Sequence, residues 1–188
     1  MIKKYRFFLL TGFVFSNLVH AEIISDGSLG NRGIQNIPGS QYQINPDLGE
    51  QHGNNLFHSF SLFNVLAGEK ANYQIPAGID HVFTRVTGGQ VSTINGTIAM
   101  GQSNANLWLI NPAGWLIGQN AQFDINGSLH VSTAKAIHLD DGGVFFSDTN
   151  QTLQLTIGQP LTLEMDQASS ATITIDQADL HFPEYQSI

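Results

Sequence analysis

Short apolar runs bounded by Gly, Asn, Pro and Asp recur along this chain, and most of them alternate apolar with polar positions. Residues 71–76, 81–86, 93–100, 107–110, 115–117, 122–126, 129–133 and 144–146 each read as a strand. In residues 56–63, Phe57, Ser59, Ser61 and Phe63 share one side of a strand, and Leu56, His58, Phe60 and Leu62 share the other. Both sides carry apolar groups, so this strand is expected to be covered on both faces, with His58 in or beside the core. Farther on, Leu153, Leu155 and Ile157, then Leu161, Leu163 and Met165, then Ile173 and Ile175 keep a period of two. That period predicts strands with one buried face. Residues 22–49 are polar and rich in Gly, Asn, Ser and Gln, and read as an extended cap with little regular structure and a turn at Asn45-Pro46-Asp47-Leu48-Gly49. Beyond the N-terminal segment no stretch has the apolar spacing of an amphipathic helix, and Gly and β-branched residues are too frequent for one.

The stretch 107–118 contains the sharpest local signal. Two apolar runs, Leu107 to Ile110 and Trp115 to Ile117, flank Asn111-Pro112-Ala113-Gly114. Pro112 fixes its own φ and steers Asn111 away from helical geometry. Gly114 can take a positive φ without steric cost, so the four residues read as a tight corner between two buried strands. Short strands with closely spaced turns fit a sandwich, a barrel or a solenoid. One echo favours the solenoid. Ile94-Asn95-Gly96-Thr97-Ile98 returns 31 positions later as Ile125-Asn126-Gly127-Ser128-Leu129. An imperfect echo of this kind is expected if the same corner recurs in different coils.

The first 21 residues change the charge and the compartment. Lys3, Lys4 and Arg6 precede an apolar run over residues 7–15, and Val19 and Ala21 are the small residues of a cleavage site. This is the layout of a secretory signal peptide cut after Ala21, with a run too short to span a membrane. The remaining chain, 22–188, then holds four basic residues (Arg32, Lys70, Arg85, Lys135) against 15 acidic ones, a net of −11. Such a surface repels phosphate and anionic lipid, so neither nucleic acid nor stable membrane insertion is expected. The absence of cysteine leaves core burial and backbone pairing as the means of holding a secreted fold together.

Catalytic and metal chemistry find little support in the residue pattern. A β-helical polysaccharide lyase would need clustered carboxylates and a basic proton acceptor. Asp140-Asp141 is the only adjacent acidic pair after the leader, and before Gly142-Gly143 it reads as a solvated turn. The histidines have no metal-ligand spacing, and no serine lies in a nucleophile elbow. No catalytic residue, metal or cofactor is therefore expected.

Several phrases in fixed order nonetheless identify a family. They are Asn55-Leu56-Phe57-His58-Ser59-Phe60 with Phe63-Asn64-Val65, Arg85-Val86-Thr87-Gly88-Gly89, and Ser92-Thr93-Ile94-Asn95-Gly96-Thr97-Ile98. Ala105-Asn106-Leu107-Trp108-Leu109-Ile110-Asn111-Pro112, Gly118-Gln119-Asn120-Ala121 and Gly127-Ser128-Leu129-His130-Val131-Ser132-Thr133-Ala134 follow. Together, residues 54–134 resemble the N-terminal secretion domain of filamentous haemagglutinin-like exoproteins, the exported partners of bacterial two-partner secretion. The resemblance implies an all-β, right-handed parallel β-helix with an N-terminal cap over residues 22–188. It also implies passage through the periplasm of a Gram-negative bacterium, recognition by the periplasmic domains of an outer-membrane barrel transporter, and folding at the cell surface. Members are adhesins, haemagglutinins, cytolysins or contact-dependent toxins, so a host-cell or glycan receptor is a further expected partner. A small secreted adhesin or glycan-binding β-helix is the alternative. The family's Asn-Pro-Asn-Gly-Ile signature falls on residues 111–115, where Asn111, Pro112 and Gly114 match while Ala113 and Trp115 do not. These three matching residues are the candidate transporter-recognition or folding motif.

Overall fold

The computed structural model describes residues 22–178. The expected signal peptide and the expected cleavage site at Ala21 lie outside the described residues. The strands are β1 (Ile23–Ser25), β2 (Asn36–Ile37), β3 (Gln41–Ile44), β4 (Gly49–His52), β5 (Asn55–Phe63), β6 (Lys70–Tyr73), β7 (His81–Val86), β8 (Ser92–Ile94) and β9 (Thr97–Ala99). They continue with β10 (Asn106–Ile110), β11 (Trp115–Ile117), β12 (Gln122–Asp124), β13 (Leu129–Ser132), β14 (Ala136–Leu139), β15 (Val144–Phe146), β16 (Pro160–Glu164) and β17 (Ile173–Ile175). A single 3-10 turn, Pro46–Leu48, is the only helical element among the described residues.

The chain is a parallel β-helix. β5, β7, β10 and β13 stack in parallel as one wall; β3, β6, β9 and β12 form a second; β8, β11 and β17 form a third. Each coil visits the walls in turn, and residues 22–26 or so apart in sequence become neighbours, as in Leu56–Val82, Val82–Leu107 and Leu107–Leu129. The inward side chains of the three walls, among them Leu56, Val82, Leu107, Ile94, Ile98, Trp115 and Phe123, make one core. Pairing is with the next coil rather than with a sequence neighbour, so a strand inside a wall, such as β9 or β11, can be as short as three residues and still be hydrogen-bonded on both edges.

The N-terminal cap is more regular than its polar composition predicts. β1 pairs antiparallel with both β2 and β5, β4 pairs antiparallel with β5, and Ile23, Tyr42 and Ile44 are buried. The antiparallel strands cover the edge of the solenoid that would otherwise present open backbone groups. Beside them, β5 is covered on both faces as its composition predicts. Its alternation breaks at Ser61, however, where the register with β1 shifts, and Phe63 turns into the same core as Phe60.

Between β13 and β17 the chain leaves the coil. β14 pairs antiparallel with β15 and β16, making a small sheet that lies on the outside of the β5-β7-β10 wall. There the outward residues of successive coils form an aromatic ladder. Phe57 and Phe83 stack at 4.9 Å, Phe83 and Trp108 at 6.1 Å, and Trp108 and His130 at 3.6 Å. Phe145, Ile137, Leu139 and Leu29 close over it as a second core. Each large apolar group removed from water contributes about 1.5–3 kcal/mol, and the ladder can only be covered if the excursion docks.

Two sequence expectations are corrected here. Leu161, Leu163 and Met165 are 65%, 39% and 50% exposed, and Ile173 and Ile175 are 42% and 55% exposed, so this alternation does not mark a buried face. β16 is one of the two edge strands of the small sheet, while β17 is the last described strand of its wall. Ile173 and Ile175 are in register with the buried Trp115 and Ile117, but no described strand lies beyond them. The Asn-Gly echo also marks two different corners. Asn95-Gly96 joins β8 to β9, whereas Asn126-Gly127 joins β12 to β13. The shared demand is close approach to the previous coil. A Cβ on Gly96 would lie 2.2 Å from the Leu66 carbonyl oxygen, and one on Gly127 would lie 2.3 Å from that of Ala105.

Candidate functional site

The Asn111–Gly114 corner joins β10 to β11, between the first and third walls. Asn111 is fully buried, and its side chain is the hub. Its Nδ2 donates to the Gln90 carbonyl at 2.9 Å and to Ser92 Oγ at 3.0 Å, both on the preceding coil. Its Oδ1 accepts the Ala113 amide at 2.9 Å, the local bond that lets Asn hold a turn. The Asn111 amide donates to Ser132 of the following coil, and the Gly114 amide closes the corner onto the Asn111 carbonyl, both at 3.0 Å. One residue thus ties three coils together.

Gly114 has φ +116°, and a Cβ there would lie 2.8 Å from the Thr172 carbonyl oxygen. Both facts require glycine. Gly114→Val is expected to cost about 1–2 kcal/mol from backbone strain, with the Thr172 contact adding to it. A lowered urea midpoint would show this, and an unchanged midpoint would refute the corner's need for glycine.

The two departures from the family signature have structural accounts. Ala113 supplies only its backbone amide to the turn, and Asn111 provides the side-chain bonding. Trp115 is the largest of the fully buried side chains, and its indole N–H donates to the Ser132 carbonyl at 2.9 Å. Asn111, Pro112 and Gly114 thus belong to one tight corner between β10 and β11.

A second polar cluster had no predicted role. Arg85 on β7 is buried and reaches outward between the coil, the cap and the excursion. Its Nε donates to Ser59 Oγ at 2.6 Å, its Nη2 donates to Ser28 Oγ at 2.8 Å, and its Nη1 donates to the Phe146 carbonyl. Ser59 and Ser28 pass the contact on, donating to Asp26 Oδ2 at 2.5 Å and Oδ1 at 2.6 Å. Thr87 adds a third hydroxyl to Asp26 Oδ2 at 2.8 Å. The result is an ion pair bridged by hydroxyls. Burial alone would raise the Asp26 carboxyl, but the Ser28, Ser59 and Thr87 hydrogen bonds outweigh it and hold the group below its ordinary value. Burial also lowers the Arg85 guanidinium, against the pull of Asp26 and Asp148.

Asn55 does a related job at the other end of the excursion. Its Nδ2 donates to the Thr156 and Gly158 carbonyls at 3.0 and 2.8 Å. Both Asn55 and Arg85 stand in phrases that carry the family resemblance, but apart from Ser59 on the preceding coil their partners are 61 to 103 residues away or in the cap. No local spacing could reveal them.

Asp140 and Asp141 serve the excursion's turn. Asp140 Oδ1 accepts the Gln159 amide, and Asp141 Oδ1 accepts the Thr156 hydroxyl and the Gly143 amide. Among the described residues, no group of three or more His, Asp or Glu side chains is placed to hold a metal ion.

In comparison with known families, the model of the TPS secretion domain matches residues 21–186. No curated protein and no solved structure matches the chain.

Proposed function

The chain belongs to the TPS secretion domain family, and from that premise we propose that it is recognised by the periplasmic domains of an outer-membrane barrel transporter. Membership makes it the domain of a two-partner secretion exoprotein, exported to the cell surface or beyond. The further reading is that residues 1–21 are a signal peptide cut after Ala21. On this reading the chain crosses the periplasm before transport, and the exoprotein it serves acts in adhesion.

What supports this reading is the family match across nearly the whole chain, together with a site built for folding rather than catalysis. Asn111 is buried with its polar atoms bonded, so a transporter cannot touch its side chain in the folded domain. If recognition reads this motif, it reads the extended chain. Its role in the folded domain is to close the coil once the chain is out.

The test is export with and without the transporter. Secretion into the medium that depends on the transporter, binding of its purified periplasmic domains to the chain, and a mature N-terminus at Glu22 are the expected results. Transporter-independent release, or no binding by either the unfolded or the folded chain, would overturn the reading. Binding of the isolated domain to host cells or glycans would favour an adhesin in its own right.

A further inference from the structure

Four buried side-chain atoms among the described residues lack a hydrogen-bond partner: Asp47 Oδ1, Asn55 Oδ1 and both ring nitrogens of His58. Three of the four belong to one place. His58 points from β5 into the N-terminal end of the coil, directly opposite Gly49 of β4. A Cβ on Gly49 would lie 2.8 Å from His58 Nδ1, so the backbone of β4 lies flat on the imidazole. Asp47 stands two residues before Gly49, in the middle of the 3-10 turn that leads into β4. The other neighbours of the ring are Phe60, stacked at 6.0 Å, and Tyr73, edge-on at 5.7 Å. The nearby hydroxyls of Tyr73 and Thr84 bond each other at 3.0 Å, and neither bonds the histidine. A buried polar group without partners is costly to keep and calls for an account.

We propose that His58 is a proton-operated latch on the N-terminal cap. When neutral, the ring packs under Gly49 and holds β4 closed on β5; when protonated, it cannot stay in that interior, and the segment from Pro46 to His52 opens.

The charges around the ring favour this outcome over an internal ion pair. Asp47 is the one carboxylate acting on His58, but its other oxygen is already held by Arg32 at 2.6 Å. Glu50 and His52 of β4 face each other at 3.5 Å, and both are part-exposed. Tyr73 is buried and its phenol is pushed up, so it stays neutral. Thr84 and Phe60 carry no charge. Burial therefore dominates and pushes the imidazole down to about 3, against an opposing pull from Asp47.

The sign of the pH effect follows. The unfolded or opened segment binds a proton near the ordinary value of 6.5, while the closed state does so only near 3. The closed state is therefore fully favoured above 6.5 and loses ground as pH falls from 6.5 towards 3.

The experiment compares the protein with its His58→Leu variant over pH 7.5 to 4.5. Urea unfolding and amide exchange of residues 49–52, corrected for intrinsic rates, are the readouts. In the parent the opening constant should rise roughly 100-fold across this range. In His58→Leu that rise should largely vanish, with stability at pH 7.5 retained. A variant with the parental acid response would overturn the proposal. The ring proton resonances of His58 in the folded parent give a second measurement, which stands even if the variant fails to fold. No titration above about pH 4 is expected, and titration near 6.5 would refute the latch.

Discussion

Arg85→Met should destabilise the domain by about 2–4 kcal/mol, from the loss of hydrogen bonds made by a buried charged group, each worth about 1.5–3 kcal/mol. The loss has two parts. Asp26 keeps its hydroxyl bonds but loses the cation that reaches it through Ser28 and Ser59. The Phe146 carbonyl loses its donor, and with it the excursion loses a tether to the coil. Against a total stability of about 5–15 kcal/mol, this is a large fraction. Urea unfolding gives the magnitude. Amide exchange should show the 136–164 segment opening before the coil does. Arg85→Lys should not rescue the loss, because one ammonium cannot serve three partners in different directions. Adding Asp26→Asn to Arg85→Met should recover part of the stability by removing the stranded charge. If Arg85→Met unfolds at the parental urea concentration, the clasp contributes nothing and its role here is wrong.

The clasp also has an acid limb of its own. The Asp26 carboxyl is held below its ordinary value of 3.8 in the folded state. Its contribution is present above that value and is lost as pH falls through the lower folded value. This window opens only below 3.8, so the acid response between pH 6.5 and 4 reports His58 and not Asp26.

Asn111→Ala is expected to cost about 2–4 kcal/mol. It removes two donors and one acceptor from a buried site, each worth about 0.5–1.5 kcal/mol, and strips partners from the groups left behind. Asn111→Asp is no remedy, since it would set a carboxylate oxygen against the Gln90 carbonyl. The two roles considered for this motif separate cleanly here. If the corner only closes the coil, the unfolded Asn111→Ala chain should bind the transporter's periplasmic domains as well as the parent does. Secretion would then fall through poor folding outside. If the extended motif is itself read, binding of the unfolded chain should drop as well. Unchanged stability in Asn111→Ala would remove the folding role altogether.

Period two, turn residues and the absence of helix spacing were enough to read a chain of short strands, and Asn111-Pro112-Ala113-Gly114 was legible as a corner. These are local properties. Proline's fixed φ, glycine's tolerance of positive φ and an Asn that bonds its own turn act within four residues. The family phrases over residues 54–134 added the coil and the export role. Period two, however, says only which side chains share a face, and burial depends on what lies opposite. Leu161, Leu163 and Met165 alternate as regularly as the core strands and remain exposed, because they lie outside the second core that buries Phe145 and Ile137 of the same sheet. Phe83 and Arg85 face outward and are buried, because a segment some 60 residues later folds over them. The placement of Asn55 against Gly158, the bridging of Asp26 to Arg85 and the sealing of His58 under Gly49 were likewise decided by the tertiary structure. Each depends on the cap or the excursion docking on the stacked coils, and docking of that kind leaves no local physical signal in the chain.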